Sequence, residues 1–302
     1  MKGEDSAKDF RSGYVAIIGR PNVGKSTLLN SVLGEKVSIV TSRPQTTRRR
    51  IIGIRTTAHS QIICIDTPGF HKPQHKLGEF MVKEAGESLK DADIVLFMVE
   101  PRSPGHGDTF IIERLRELGT TRPVLLLINK IDLVKKSELL PIMDEYHRCY
   151  PFDAIFPLSA LNAEDVKLLL QDVEERLTHG PQYYPDDVVT DQYERFVVAE
   201  MIREKVMEVT EEEVPHSVAV EIVQWTERED GMIFLSANIY IEREGQKGII
   251  IGKGGARLKA IGSAARVDIE KFLARKVFME LWVKVKEGWR SDTRVLKDLG
   301  LH

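Results

Sequence analysis

Cysteine is scarce: Cys64 and Cys149 are the only two in 302 residues. They stand far apart, with no CxxC pair and no histidine-rich neighbourhood, which excludes a disulfide framework or a zinc site and fits a reducing cytoplasm. Long apolar runs are missing too, and the longest, IVLFMV, is far too short to span a bilayer. The opening MKGEDSAKDFRSG carries acidic residues and no apolar core, so it reads as neither a signal peptide nor an Arg-rich transit peptide. There is no internal repeat and no low-complexity tract. Neither sign of charge dominates: a formal net charge of −3 excludes a generic polyanion binder, so any nucleic-acid site must be a local patch.

What is present, 42% hydrophobic and 29% charged residues, is the composition of an ordinary globular protein. The length favours two domains. From Tyr14 to about Leu177, five apolar runs (YVAIIG, QIICID, DIVLFMVE, PVLLLIN and AIFPLS) alternate with helical stretches, which predicts an α/β domain with a mainly parallel sheet covered on both faces. HGPQYYPDD then breaks the periodicity. Beyond it the order is helix, two strands, two helices around a glycine loop, and a last strand, an α+β module. The expected division is a first domain over 12–180, a linker over 181–189, and a second domain with a C-terminal tail over 190–302.

GRPNVGKS follows the strand YVAIIG and opens a helix, the context a phosphate-binding loop requires. Gly19 and Gly24 let the backbone turn around phosphates, with Arg20, Pro21, Asn22 and Val23 between them, at a helix N-terminus that favours anions. Lys25 is expected to neutralise the β and γ phosphates, Ser26 to ligate Mg²⁺, and Thr27 to stand beside it. DTPG ends the strand QIICID, so Asp66 can hold the Mg²⁺ shell and the Gly69 N–H can face the γ-phosphate, with Thr67, Pro68 and Phe70 alongside. In NKID (Asn129, Lys130, Ile131, Asp132) the Asp132 carboxylate can accept both N1–H and N2–H of guanine, a pair adenine does not offer, so the nucleotide is GTP or GDP. Ser159, Ala160 and Leu161 end the run AIFPLS and place the Ala160 N–H against the guanine O6. QTTRRR precedes the strand QIICID and offers a threonine to Mg²⁺ and γ-phosphate, Thr47 first and Thr46 second.

The second glycine loop, IIIGKGG, has no GKS ending and too little backbone to wrap a triphosphate. It fits the GxxG turn of a KH domain: Gly252 and Gly255 bracket Lys253 and Gly254, and the tight turn can approach a sugar-phosphate chain. Leu258, Ile261, Ala265, Ile269, Phe272 and Leu273 then recur at helical spacing. Between Gly245 and Arg290 stand eleven basic residues against four acidic ones, a local charge of +7 in a chain of −3. That patch is the electrostatic footprint expected of an RNA site, with Lys247, Arg257 and Lys259 joining the turn.

With GRPNVGKSTLLN, RPQTTRRRIIGI, DTPGFHKP, NKID, EEEVPHSVAVEI and IIIGKGGARLKAIG in place, the chain closely resembles the bacterial Era GTPases from about Tyr14 to Gly300. Only the first 13 residues look extra. The resemblance implies a Ras-like GTPase domain, its mixed sheet flanked by helices, joined to a type II KH domain. It also implies binding near the 3′ end of 16S ribosomal RNA on a small-subunit precursor, a role in small-subunit maturation, a monomer, and peripheral association with the inner membrane. One departure concerns mechanism: many Ras-like GTPases carry a glutamine after DxxG to orient the attacking water, where this chain has Phe70. Similar proteins with an apolar residue there use a phosphate-loop asparagine to hold K⁺, and Asn22 stands at that position. The catalytic candidates are therefore Lys25, Thr47, Gly69 and Asn22. An enzyme and a nucleotide-sensing RNA-binding module with negligible turnover are both compatible with these residues.

Overall fold

The computed structural model describes residues 9–43, 45–70, 73, 75–117, 119, 121–211 and 214–301. Residues 1–8 of the extra N-terminal stretch, Pro44, His71, Lys72, Glu212 and Glu213 of the quoted motifs, and His302 of the tail lie outside the described residues. The chain divides into two compact units.

The first unit is built on a six-stranded sheet of order β2-β3-β1-β4-β5-β6. Its strands are β1 (Arg11–Gly19), β2 (Ile51–Thr56), β3 (Ser60–Asp66), β4 (Ile94–Val99), β5 (Val124–Ile128) and β6 (Ala154–Pro157). All neighbours run parallel except β2 and β3. Helices α1 (Lys25–Leu33), α2 (Lys76–Asp91, of which the part from Met81 on belongs to this unit), α3 (His106–Glu117), α4 (Lys136–Cys149) and α5 (Ala163–Arg176) accompany the sheet. Ala85 of α2, Ile111 of α3 and Ile142 of α4 share a core with Ala16, Phe97 and Leu126 of the strands, while α1 packs on α5, β2 and β3. Every residue of β4 and β5 is buried, as a strand covered on both faces requires.

The sheet holds one strand more than the five apolar runs predict. IIGIRT forms β2, antiparallel to β3 with Ile54 opposite Ile63; behind Arg48, Arg49 and Arg50 it reads as the end of a basic loop. The segment expected as a linker over 181–189 is also not a free tether. Gln61, wholly buried in β3, accepts at Oε1 from the Tyr183 and Tyr184 N–H groups (2.8 and 3.0 Å) and donates from Nε2 to the Tyr184 carbonyl (2.8 Å). The Ile54 N–H donates to the Val189 carbonyl at 2.8 Å, and the Thr190 hydroxyl donates to the Ile52 carbonyl at 2.6 Å. Tyr184 and Val188 cover Ile52, Ile54 and Ile63. The first unit accordingly runs to Asp191, beyond the expected boundary at 180.

The second unit contains α6 (Glu194–Glu208), α7 (Val214–Ser217), β7 (Ala219–Glu227), β8 (Ile233–Ile241), α8 (Glu244–Ile251), α9 (Ala256–Leu273), β9 (Val277–Val285) and α10 (Thr293–Asp298). Its sheet has the order β7-β8-β9, with β7 antiparallel and β9 parallel to β8. Ile202 of α6, Leu235 and Ile239 of β8, Ile250 of α8, and Ile261 and Ile269 of α9 form its core. The C-terminal tail is folded: Trp289 is wholly buried and donates Nε1–H to the Ser217 carbonyl at 2.8 Å, and Asp292 caps α10 by accepting the Arg294 N–H at 2.8 Å. Two earlier segments, Ile39–Thr46 and Pro73–Phe80, belong to this unit. There the Val40 N–H donates to Glu204 Oε1 at 2.9 Å, and buried Arg203 donates to the Thr46 carbonyl.

Candidate functional site

In the first unit the motif residues gather at the carboxyl ends of the strands, because each apolar run ends where its strand leaves the sheet. Gly24 caps α1, whose first residues are Lys25 and Ser26. Lys25 is buried and donates Nζ–H to the carbonyls of Gly19 (3.2 Å) and Arg20 (2.9 Å). Burial pushes its ammonium down to about 8, against the opposing pull of the Asp66 charge.

Ser26, Thr47 and Asp66 converge. The Ser26 hydroxyl donates to Asp66 Oδ2 at 2.6 Å, the Thr47 hydroxyl donates to the same oxygen at 3.2 Å, and the two hydroxyls are 3.0 Å apart. Ser38, which no motif marks, adds a third hydroxyl on Oδ2 at 3.0 Å. Burial raises the Asp66 carboxyl above its ordinary value, although Lys25 and the three hydroxyls work the other way. Its Oδ1 is buried without a hydrogen-bond partner. An orphaned buried oxygen costs about 1–3 kcal/mol, and a hard cation on this all-oxygen donor set would remove that cost. The residues therefore fit Mg²⁺, which Ser26, Thr47 and Asp66 would hold; among the described residues no cluster of three His, Cys, Asp or Glu side chains offers another metal site. Thr46, the second choice, turns away: its hydroxyl donates to the Arg43 carbonyl at 2.8 Å.

On the base side, Asn129 is buried and ties two loops together, donating Nδ2–H to the Val23 carbonyl and accepting the Ala160 N–H at Oδ1, both at 2.8 Å. The Ala160 N–H, predicted to face the guanine O6, is here turned onto Asn129, so service to O6 requires sharing that bond. Ser159 is buried, Leu161 is exposed, and Asp132 is exposed on the single turn Ile131–Leu133 after β5. Gly69 packs against Pro21, which sets DTPG beside the phosphate loop. Phe70 is buried in the core shared with Phe97 and Ile111, and no water-orienting side chain stands in its place.

In the second unit Gly252, Gly254 and Gly255 have φ of 72°, 60° and 80°, left-handed values that explain the glycine-rich turn between α8 and α9. Lys253, Arg257 and Lys259 are exposed around it, and Lys247 on α8 sits 3.9 Å from Glu244. Beside the turn lies a groove of about 370 Å³ lined by Leu258, Lys259, Ser263 and Arg266 of α9 and by Phe278, Met279 and Leu281 of β9. Sequence reasoning missed its far wall, since β9 becomes a wall only through its position at the sheet edge.

Comparison with known proteins places these two sites in context. A family model described as "50S ribosome-binding GTPase" matches residues 14–130, and a KH domain model matches residues 213–290. The chain is 50% identical over 292 residues to the GTPase Era of Ruminiclostridium cellulolyticum, covering 96% of this chain and 97% of that protein. It resembles the crystal structure of an Era in complex with MgGDPNP and nucleotides 1506–1542 of 16S ribosomal RNA, with a TM-score of 0.93, 40% identity, and coverage of 97% of this chain and 99% of that one. A crystal structure of an Aquifex aeolicus Era variant bound to GDP and AlF₄⁻ matches with the same score, identity and coverage.

Proposed function

The chain belongs to the Era family of GTPases, and on that premise we propose how its residues divide the work of binding GTP, hydrolysing it and holding RNA. The convergence of Ser26, Thr47 and Asp66 on one another, beside a lysine already aimed into the phosphate loop, supports the reading most directly. Lys25 leaves the Gly19 and Arg20 carbonyls for the β and γ phosphates, and the loop N–H groups wrap the same oxygens. Thr47 and Gly69 contact the γ side, and Asp132 reads guanine. Bound Mg²⁺ supplies neutralisation of the charge shared by the β and γ phosphates. The groove between α9 and β9 takes single-stranded RNA of the 16S 3′ region, the GxxG turn approaching its backbone and the apolar wall its bases. The protein then acts as a monomer on small-subunit precursors. No described helix is long and apolar enough to cross a membrane; the peripheral association with the inner membrane is proposed on the resemblance to the Era GTPases alone.

The Lys25 ammonium gives a proton-linkage test. Phosphate oxygens favour its charged form and raise its pKa from about 8. At about pH 8 roughly half of the free protein lacks that proton, so binding takes up about half a proton on average; at about pH 7, still above the second ionisation of the GDP β-phosphate, the site is already almost fully charged. Calorimetry of GDP binding in two buffers of different ionisation enthalpy is expected to show proton uptake at the higher pH that nearly vanishes at the lower, with affinity declining above about pH 8. Buffer-independent heats at both values would separate Lys25 from the phosphates.

With Phe70 in the core, something other than a side chain after DxxG must assist hydrolysis. Asn22 is held in the left-handed region (φ 66°) at the apex of the loop. The Asn22 side-chain carbonyl would be the group to hold K⁺, and the ion would supply positive charge to the transition state. Turnover in KCl is expected to exceed that in NaCl at equal ionic strength by on the order of tenfold, and Asn22→Ala should abolish the difference. Equal rates in the two salts, with turnover unmoved by RNA, would favour a nucleotide sensor with negligible turnover.

A further inference from the structure

Arg20, the second residue of the phosphate loop, sends its side chain away from the phosphates. Its Nε donates to Asp108 Oδ1 at 2.7 Å, and Nη2 lies 3.7 Å from Glu100 Oε2. Across the apex, the Asn22 carbonyl accepts from Lys130 Nζ at 2.7 Å, and the same ammonium bonds Glu100 Oε1 at 2.8 Å. One carboxylate thus connects both flanks of the apex, and a second anchors Arg20 from α3. Asp108 is wholly buried, with Oδ2 accepting the Gly105 N–H at 3.0 Å. The fold makes room for this arrangement, since a Cβ on Gly107 would stand 2.4 Å from Arg20 Cδ.

Two residues in the circuit need holding. Asn22 (φ 66°) and Lys130 (φ 63°) are left-handed without being glycine, a conformation that residues with a Cβ disfavour, lysine more than asparagine. Burial disfavours the Glu100 carboxylate, yet the hydrogen bond and charge of Lys130, with Arg102 and Arg20, outweigh it and keep its carboxyl below the ordinary value. The Glu100 carboxylate is therefore ionised at neutral pH.

We propose that Asp108 and Glu100, outside every motif, are positioning residues for nucleotide binding: by fixing Arg20 and the Asn22 carbonyl they hold the phosphate loop in its binding shape before a nucleotide arrives. This rests on the reading that residues 19–26 bind phosphates. A loop freed from the clamp spends only a fraction of its time in that shape, and apparent affinity falls by the same fraction. Bound phosphates then fix the loop through its N–H groups, so the chemical step at saturation is little affected.

The test uses full-length Asp108→Asn and Glu100→Gln. GDP affinity is expected to fall about tenfold and the KM for GTP to rise by a like factor, with kcat within about twofold of the parent. In nucleotide-free protein, amide hydrogen exchange should quicken at Arg20 and at residues 22–24 and stay slow in β4 and β5. Adding Arg20→Gln to Asp108→Asn should cost little more, because both remove the same tie. Parent-like affinity and loop exchange in both variants would overturn the inference, as would faster exchange across the whole unit, which marks a merely structural role. Failure of the unaltered protein to bind GDP would instead overturn the phosphate-loop reading. Should Asp108→Asn not fold, the partly exposed Glu100→Gln carries the test.

Discussion

Changing Lys253 and Gly254 to aspartate is expected to lower affinity for a 16S 3′-end oligonucleotide by at least about a hundredfold while GDP affinity stays unchanged. The two positions form the exposed tip of the turn between α8 and α9. Lys253→Asp replaces a cation by an anion, and Gly254→Asp adds a second carboxylate where a phosphate must come close. Folding should survive. A Cβ at Gly254 meets nothing within 4 Å, and aspartate is among the residues that tolerate its φ of 60°. The loss is therefore one of charge and approach, and it should diminish in high salt as the remaining phosphate contacts are screened. Fluorescence anisotropy with the labelled oligonucleotide, at two salt concentrations, reads both effects. RNA affinity equal to the parent's would move the RNA site away from this turn.

Asp132→Asn should be as disruptive at the other site. The carboxylate is proposed to accept two N–H bonds from guanine, a charge-assisted pair, and an amide offers one acceptor and turns an N–H towards the second donor. GTP affinity is expected to fall by roughly a thousandfold, and a xanthine nucleotide, which presents a carbonyl in place of the amino group, should become the better ligand. Asp132 is exposed on its turn, so the change leaves the packed interior alone. Competition between labelled GDP and xanthosine diphosphate measures the switch; unaltered preference for guanine would mean that the base is read by other groups.

The place of Asp132 was legible in the sequence because strand ends are, and that of Lys253 and Gly254 because a glycine-rich turn between two helical stretches is. An apolar run such as PVLLLIN must leave the sheet where its apolar residues stop, so Asn129 and Asp132 fall at the rim, as do Asp66 and Lys25. Partners brought in from elsewhere were not legible. Ser38 reaches Asp66 across 28 positions, and Asp108 reaches Arg20 across 88. Neither lies in a motif, and only the folded sheet brings them near. The Ala160 N–H shows the converse: position was readable, but its bond to Asn129 depends on a side-chain orientation that no spacing encodes. The wall that Met279 and Leu281 give the groove beside the turn follows from strand order, which β9's own alternation does not reveal.

The segment tied to β2 bears on how the first unit avoids its own kind. β2 ends the sheet on one side, and a bare outer strand offers unpaired N–H and carbonyl groups to any extended chain, including a second copy. Here the Ile54 N–H and Ile52 carbonyl are already used by Val189 and Thr190, and Tyr184 and Val188 shield the isoleucines beneath. Residues 181–190 thus work as a stopper on an otherwise adhesive edge. Where the periodic pattern fades, near 180, the edge is still open; it closes only with the last few residues before Gln192, and a fragment ended at the earlier point would carry an exposed template for aggregation.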